Sequence, residues 1–402
     1  MLSLLGQCSD SVAFWATLLV VCCVIILAVV LHILYSLTPA RQQARMDAIG
    51  RGVMRRNMDR MARYLDGLPK SEPAVRQPFE LGLGAMDAFE WDRAIELFRE
   101  AMLKARGGEL VALFDLIGVC HYTRGRPENA LRAFEESARL AEQFGDEEGK
   151  PPALGNIGAI YHDRGDLDKA LQYKEEAWAK SHGLGDQWAE AVYLGNIGNI
   201  LRDNGDFDRA LKYHERALEI SRGLKDRLGE ATDLANIGSI YRDKGGLDKA
   251  LRYDREALAL ARRIGYRLGV VTSLAGIGSV YRYKGKLDAA LKYDEEALVL
   301  ARRIGYRLGE ATDLGNIGLV LADKRKYGEA VPKLAEALTI LLDSGVADGP
   351  RQLLVGLARC EEKLGRKRFE ELLKEAGFQD ATTADILRRI DESRQATAEA
   401  KK

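Results

Sequence analysis

Apolar residues are arranged in two ways along the chain. From Ser11 to Leu37 they form one run, SVAFWATLLVVCCVIILAVVLHILYSL, with no Asp, Glu, Lys or Arg in 27 residues. From Phe79 onward they recur at helical spacing, in units that repeat. At about 1.5 Å per residue the first run makes roughly 40 Å of helix, longer than the ~30 Å hydrocarbon core, so it spans a bilayer with tilt. It predicts a transmembrane helix over 11–37 after a short segment 1–10. The run exceeds the ~7–15 apolar residues of a cleaved secretory signal, and no Lys or Arg precedes it. Arg41, Arg45, Arg51, Arg55, Arg56, Arg60 and Arg63 follow it, against Asp47 and Asp59. The positive-inside tendency then predicts a single-pass membrane protein with its C-terminal bulk in the cytoplasm.

In the basic segment 38–66, Met46, Ile49, Val53, Met54, Met61, Tyr64 and Leu65 fall near one helical stripe. Two readings stay open: a helix lying on anionic lipid through Arg41–Arg63, or a solvated continuation of the anchor. GLPKSEPAVRQP (67–78), with three prolines, reads as a linker.

The rest of the chain repeats. Gly118, Gly158, Gly198, Gly238, Gly278 and Gly318 are spaced by forty, as are Ala130, Ala170, Ala210, Ala250, Ala290 and Ala330. An earlier unit aligns at Gly82, Phe89 and Ala94. A later, degenerate one aligns at Ala358 and Gly365, with Glu370 where the small Ala belongs. ARRIGYRLG occurs at both 261–269 and 301–309. Each unit predicts two helices. The first runs to about Asp163 and stops at Gly165, and Asp166 or Asp206 caps the second. The second ends near Gly183, Gly223, Gly265 or Gly305. Gly158 and Ala170 let the two helices approach closely, with Leu154, Ile157 and Tyr161 supplying apolar bulk. One hairpin cannot bury its faces alone, so neighbours stack into a solenoid. The expected array covers 79–377, about seven full units plus a degenerate one, with a capping helix and frayed tail over 378–402.

A large residue, then Leu/Ile-Gly, Tyr, Gly and Ala at these offsets resembles the tetratricopeptide repeat. The forty-residue period, with ANIGSIYRDKG and ALKYHERAL inside it, is most similar to Pins/LGN-type polarity scaffolds, and kinesin light chains have related long repeats. The resemblance covers Phe79 to about Gly377. It implies an all-α, right-handed superhelical α-solenoid of helix hairpins, here with one N-terminal transmembrane helix. It also implies first helices lining a concave side.

On a helical wheel, Asn196, Asn199 and Asp203 share one exposed stripe with Arg202 at its edge, opposite Leu194, Ile197, Ile200 and Leu201. Asn156, Asn236 and Asn316 repeat the amide, and Asp163, Asp243 and Asp323 the acid. Arg242 and Arg282 repeat the base, with His162 in that place once; Thr232, Thr272 and Thr312 join the stripe one turn earlier. A solvated helix face favours Glu, Lys or Ala over Asn, whose amide both donates and accepts. A row of amides suits the main chain of an extended peptide. In the resembling scaffolds the matching asparagines bind ligand backbone, which carries over to Asn156, Asn196, Asn236 and Asn316. Hydrogen bonds between neighbouring helices are the other use of such a row. The arginines select acidic ligand side chains or pair with the Asp row. In one unit Gly276 replaces the asparagine and Tyr283 the aspartate, making either a place for an apolar ligand group or a local repacking. The co-chaperone subgroup of this repeat grips a C-terminal carboxylate with a Lys/Asn/Arg set of which only Asn199 has a counterpart, so that function is not expected.

Composition narrows the rest. Lys+Arg and Asp+Glu are both 60, so global charge points to no nucleic-acid partner. Five cysteines with no CxxC or paired spacing suggest a reducing compartment. His121, His162, His182 and His214 are scattered, with no HExxH, and GNIG and GLG follow no strand. No catalytic residue, metal site or cofactor is expected. The sequence therefore predicts a membrane-anchored adaptor that binds a partner's peptide segment in its groove. The alternative is a self-assembling membrane scaffold that uses repeat–repeat contacts without a peptide ligand. Orientation is testable in sealed inside-out vesicles: added protease is expected to digest a cytoplasmic array, whereas full protection would place it on the other side.

Overall fold

Every twentieth residue from Gly125 to Arg325 has a positive φ, and at each of them one helix ends and the next begins. Nine of the eleven are glycine, which holds this left-handed backbone without a Cβ clash; the others are Lys225 and Arg325. The computed structural model describes residues 73–343 and 351–399, which form seventeen α-helices with no strand among the described residues. They are α1 (Pro73–Asp87), α2 (Trp91–Met102), α3 (Gly108–Thr123), α4 (Pro127–Phe144), α5 (Lys150–Asp163), α6 (Leu167–Gly183), α7 (Gln187–Asp203), α8 (Phe207–Gly223), α9 (Arg227–Asp243), α10 (Leu247–Ile264), α11 (Arg267–Tyr283), α12 (Leu287–Ile304), α13 (Arg307–Asp323), α14 (Tyr327–Asp343), α15 (Arg351–Leu364), α16 (Arg366–Glu375) and α17 (Asp380–Glu399).

Local chemistry fixes the helix ends. The Asp166 and Asp206 carboxylates accept from the backbone N–H of Lys169 and Arg209 and so cap α6 and α8. Asp186 and Asp226 do the same for α7 and α9. In the duplicated ARRIGYRLG segment Tyr266 and Tyr306 replace the cap, and their rings lie against Gly269 and Gly309. The second helices end near the expected glycines, but in two units the glycine is not the left-handed residue. Gly183 and Gly223 are the last helical residues, and the left-handed position falls two residues later, at Gly185 and Lys225.

Within each hairpin the two helices meet where a glycine of the first faces a side chain of the second. A Cβ on Gly118 would lie 2.4 Å from the Phe134 ring, and one on Gly278 would lie 2.1 Å from Asp294 Oδ1. Gly82 faces Phe98, Gly158 faces Lys174, Gly198 faces His214, Gly238 faces Asp254 and Gly318 faces Leu334 in the same way. Four residues before each of these side chains, from Ala94 to Ala330, sits an alanine with no exposed surface. Tyr161 on Tyr173, Tyr241 on Tyr253 and Tyr281 on Tyr293 stack at 5.5–5.6 Å and close the other end of the contact.

Seven hairpins, α1/α2 to α13/α14, stack in sequence, and α15/α16 form a shorter eighth. Successive first helices touch directly: α7 with α9, α9 with α11, α11 with α13 and α13 with α15. Among second helices only α14 and α16 come as close, among the described residues. First helices therefore crowd the inner radius and line the concave side. At the C-terminal end Ile386, Leu387 and Ile390 of α17 cover Leu357, Phe369 and Leu373, sealing the last apolar face.

The array begins earlier than the Pro-rich segment suggests. α1 starts at Pro73, inside the expected 67–78 linker, and Pro78 lies within it. Proline suits a first helical turn, where its missing N–H is not needed. Burial of Val75 and Phe79 in the core outweighs the one helix bond lost at Pro78. The expected anchor 11–37 and the basic segment 38–66 lie outside the described residues; among the described residues no helix is long and apolar enough to cross a membrane.

A non-glycine residue held left-handed costs roughly 1 kcal/mol. Lys225→Gly and Arg325→Gly are each expected to stabilise the array by about that amount, less the extra unfolded-state entropy of glycine. Urea midpoints unchanged or lowered in both variants would contradict this.

Candidate functional site

The first helices bring part of the predicted stripe together. A concave cavity of about 230 Å³ is lined by Tyr122 of α3, by Asn156, Ala159, His162 and Asp163 of α5, and by Tyr193, Asn196 and Asn199 of α7. Lys174 of α6 reaches the same cavity from the second layer of helices. Two glycines of α5 make this geometry. The Tyr193 ring lies over Gly155, and the Lys174 stem crosses Gly158 at 3.1 Å from where a Cβ would sit.

The four laddered asparagines differ in what they do. Asn156 is buried, and its Nδ2 donates to Asp115 of the preceding unit at 3.2 Å. Asn316 Nδ2 donates to Asp294 at 3.4 Å. Both thus tie neighbouring hairpins together. Asn196, Asn199 and Asn236 are half-buried, and their side chains make no hydrogen bond among the described residues. The threonines are satisfied locally: Thr232, Thr272 and Thr312 each donate to the carbonyl four residues back.

The acid row and the base row largely pair with each other, one unit apart. Tyr122 donates to Asp163, His162 Nε2 meets Asp203 at 2.9 Å, and Arg282 Nε donates to Asp323 at 2.8 Å. Arg359 adds a second bond to Asp323. Against the cost of its burial, hydrogen bonds from His162 and Arg202 hold Asp203 below the usual carboxylate range. The ladder lapses in the middle. Arg202 turns to its chain neighbour Asp203 at 2.9 Å, leaving Asp243 without a hydrogen bond among the described residues. Arg242 donates to Ser239 and lies 3.6 Å from buried Asp254, because its pattern partner is Tyr283 rather than an acid. Tyr283 is 56% exposed, with the Arg282 guanidinium 5.6 Å from its ring. The concave stretch over α7, α9 and α11 is therefore where side chains remain unspent.

The column opposite the glycines is the feature the sequence reading passed over. At the ends it is apolar, with Phe98, Phe134 and Leu334; in the centre it is Lys174, His214, Asp254 and Asp294, all buried. Its signal was available: a forty-residue register whose residue type changes from apolar to ionisable and back. Burial lowers the Lys174 amine to about 8, with the charge of Asp163 opposing. Burial raises Asp254 to about 7 against the pull of Arg242. It raises Asp294 to about 8 against the hydrogen bond from Asn316 and the charge of Arg282. Asp313 rises to about 9 by burial and by the charges of Asp294 and Glu310. Asp233 is also raised by burial, although His214 Nδ1 lies 3.4 Å away and Ser221 donates to it. Among the described residues no group of three or more His, Cys, Asp or Glu is arranged to hold a metal ion. Cys120 and Cys360 are free and buried.

The tetratricopeptide repeat family model matches residues 109–179, 189–263 and 269–343, together more than half of the chain. No curated protein matches it by sequence. Among solved structures, aspartyl phosphate phosphatase F from Bacillus subtilis superposes with a TM-score of 0.57 at 13% identity, covering 90% of this chain and 94% of that one. NprR in complex with its cognate peptide NprX gives 0.53 at 14% identity, over 83% and 99% of the two chains. A Rap protein complexed with competence and sporulation factor gives 0.51 at 14%, over 81% and 98%. At such identities the likeness is one of fold.

The buried acids fix the sign of a pH effect. Their folded-state pKa values lie above the ordinary 3.8, so the stability they allow is complete below about pH 4 and is lost as pH rises through about 8 to 9. Asp313→Asn and Asp294→Asn are expected to be more stable than wild type at pH 8. That advantage should shrink on acidification by up to about 1.4 kcal/mol per pH unit per group. Parallel wild-type and variant curves of melting temperature against pH would contradict it.

Proposed function

The chain belongs to the tetratricopeptide-repeat family, and from that footing we propose that it is a protein-binding adaptor whose concave face holds a peptide segment of its partner. The observation that carries this reading is the set of unspent amides of Asn196, Asn199 and Asn236 on adjacent first helices, in a concave stretch where the acid–base ladder lapses. Buried or half-buried amides lose hydration, and an extended main chain restores both their donors and their acceptor. NprR and the Rap protein, similar in fold, were solved with a peptide and with a factor bound, and this supports the same use of the groove here. The resemblance of the forty-residue unit to Pins/LGN-type scaffolds supports a backbone-reading role for Asn196 and Asn236. Asn156 and Asn316, at equivalent places, serve instead as stacking bonds that hold the groove's shape.

The arginine row takes a smaller part than the sequence suggested. Arg282 is committed to Asp323 and Arg202 to Asp203, so neither is free to select a ligand acid without giving up an internal pair. Arg242, Asp243 and Tyr283 border the open stretch and contact whatever extends beyond Asn236. The apolar run 11–37 adds the second half of the proposal. Tethered by it, the array recruits its partner to a membrane, and tethering raises the local concentration of what is bound. The basic segment Arg41–Arg63 would lie against anionic headgroups on the same side.

The test uses the full chain against an immobilised library of short random peptides, with the double variant Asn196→Ala/Asn236→Ala beside wild type. At roughly 0.5–1.5 kcal/mol per hydrogen bond, losing one bond at each of two amides is expected to weaken a retained peptide by about 5- to 150-fold. Oligomer mass by light scattering should not change. A variant that binds peptides as wild type does but changes in mass would favour the self-assembling scaffold instead.

A further inference from the structure

Lys174 has no role in the reading so far, and its position is costly. It sits in the column where other units place Phe134 or Leu334, so an apolar side chain fills that notch without difficulty. Its residue is 7% exposed, its stem is pressed into the gap over Gly158, and its side chain lines the cavity. Among the described residues it makes no hydrogen bond or ion pair. Its stem is buried while its ammonium reaches the cavity without a partner, and an ammonium partly withdrawn from water is costly unless a counter-charge meets it. Asp163 on the cavity rim keeps the amine charged at neutral pH, but its own carboxylate is engaged by the Tyr122 hydroxyl. The other basic side chains of the concave face, Arg202, Arg242, Arg282 and His162, all have internal partners. Lining the same cavity are Asn196 and Asn199, whose amides make no hydrogen bond among the described residues.

Resting on the adaptor reading, we propose that Lys174, Asn196 and Asn199 form a subsite for the carboxylate of an acidic side chain, Asp or Glu, carried by the peptide in the groove. The ammonium supplies the counter-charge and the amides supply further donors, which makes charge-assisted bonds in a partly dehydrated pocket. A cationic ligand would be repelled by Lys174. A peptide carbonyl would leave the ammonium charge uncompensated. At about 230 Å³ the cavity has room for several waters of ~30 Å³ each, and so for a carboxylate with its methylenes. A main chain that continues to Asn236 passes the cavity by, so a side chain enters it rather than a chain terminus.

The full chain is screened against random peptides with amidated C-termini, with Lys174→Leu and Asn199→Ala beside wild type. Leu is the residue the same notch already holds at position 334, so Lys174→Leu is expected to fold. Wild type should retain peptides enriched in Asp or Glu at one position. Lys174→Leu should bind those peptides about 10- to 100-fold more weakly and their Gln-substituted versions as well as wild type does. Asn199→Ala should reduce the acid preference in part. An acid preference that survives Lys174→Leu, or wild-type selection that ignores acids, overturns this inference and leaves the adaptor reading standing. A preference that appears only with free C-termini reassigns the site to a terminal carboxylate and overturns the side-chain assignment. A wild-type chain that retains no peptide overturns the adaptor reading, and this inference falls with it.

Discussion

In each of the seven full hairpins one side chain of the second helix is pressed over a glycine of the first, leaving little or no space for a Cβ between them. This approach sets the distance between the two layers of helices. It also sets how closely the first helices converge on the inner side, and so the depth of the groove. Interiors are packed to crystal density, so a single added methyl at such a point has nowhere to go. The same contact decides which residue of the second layer reaches the concave face. Where the glycine receives Phe134 or Leu334, the notch is closed by carbon. Where it receives Lys174, a charge is carried through the wall to the cavity.

Between units the array is held by polar contacts that repeat with the sequence. Links such as Tyr122 to Asp163, His162 to Asp203 and Arg282 to Asp323 run along the groove, while Lys244, Lys284 and Lys324 pair with Asp208, Asp248 and Asp288 one unit back. Exposed pairs of this kind contribute little each, about 0–1 kcal/mol. Their value is in register, because only one offset between neighbours satisfies all of them. Where the offset brings a tyrosine instead of an acid, at Tyr283, Arg242 turns inward to Asp254 and the face opens.

The centre of the solenoid departs from an optimised core. Lys174, His214, Asp254, Asp294 and Asp313 are buried where the terminal units place Phe and Leu. Several of their polar atoms, among them both Asp313 oxygens, meet no hydrogen-bond partner among the described residues. Stability is given up in the stretch where the groove keeps its free amides, and the apolar ends and the α17 cap hold the array closed around it. Perturbed ionisable groups concentrate where proteins act on ligands, and here they coincide with the open part of the ladder.

The all-α class, the helical-repeat solenoid, and the helix caps at Asp166 and Asp206 were legible in the chain, because each rests on local spacing or on a single residue's backbone preference. The stripe of Asn196, Asn199 and Asp203 was legible as a stripe for the same reason. Its division of labour was not. Asn156 and Asn196 occupy the same register, yet one is buried on Asp115 and the other faces the cavity, since the counterpart of Asp115 one unit on is Gly155, which offers Asn196 no side-chain acceptor. Whether Arg282 meets a ligand or Asp323 depends on a residue forty-one positions away, which helical periodicity cannot weigh. Nothing in the helical period of its own unit marks Lys174 out, and only the glycine notch of the neighbouring helix receives its stem. Period and propensity act within one unit and are written in it; which polar group is left unspent is settled between units, by packing.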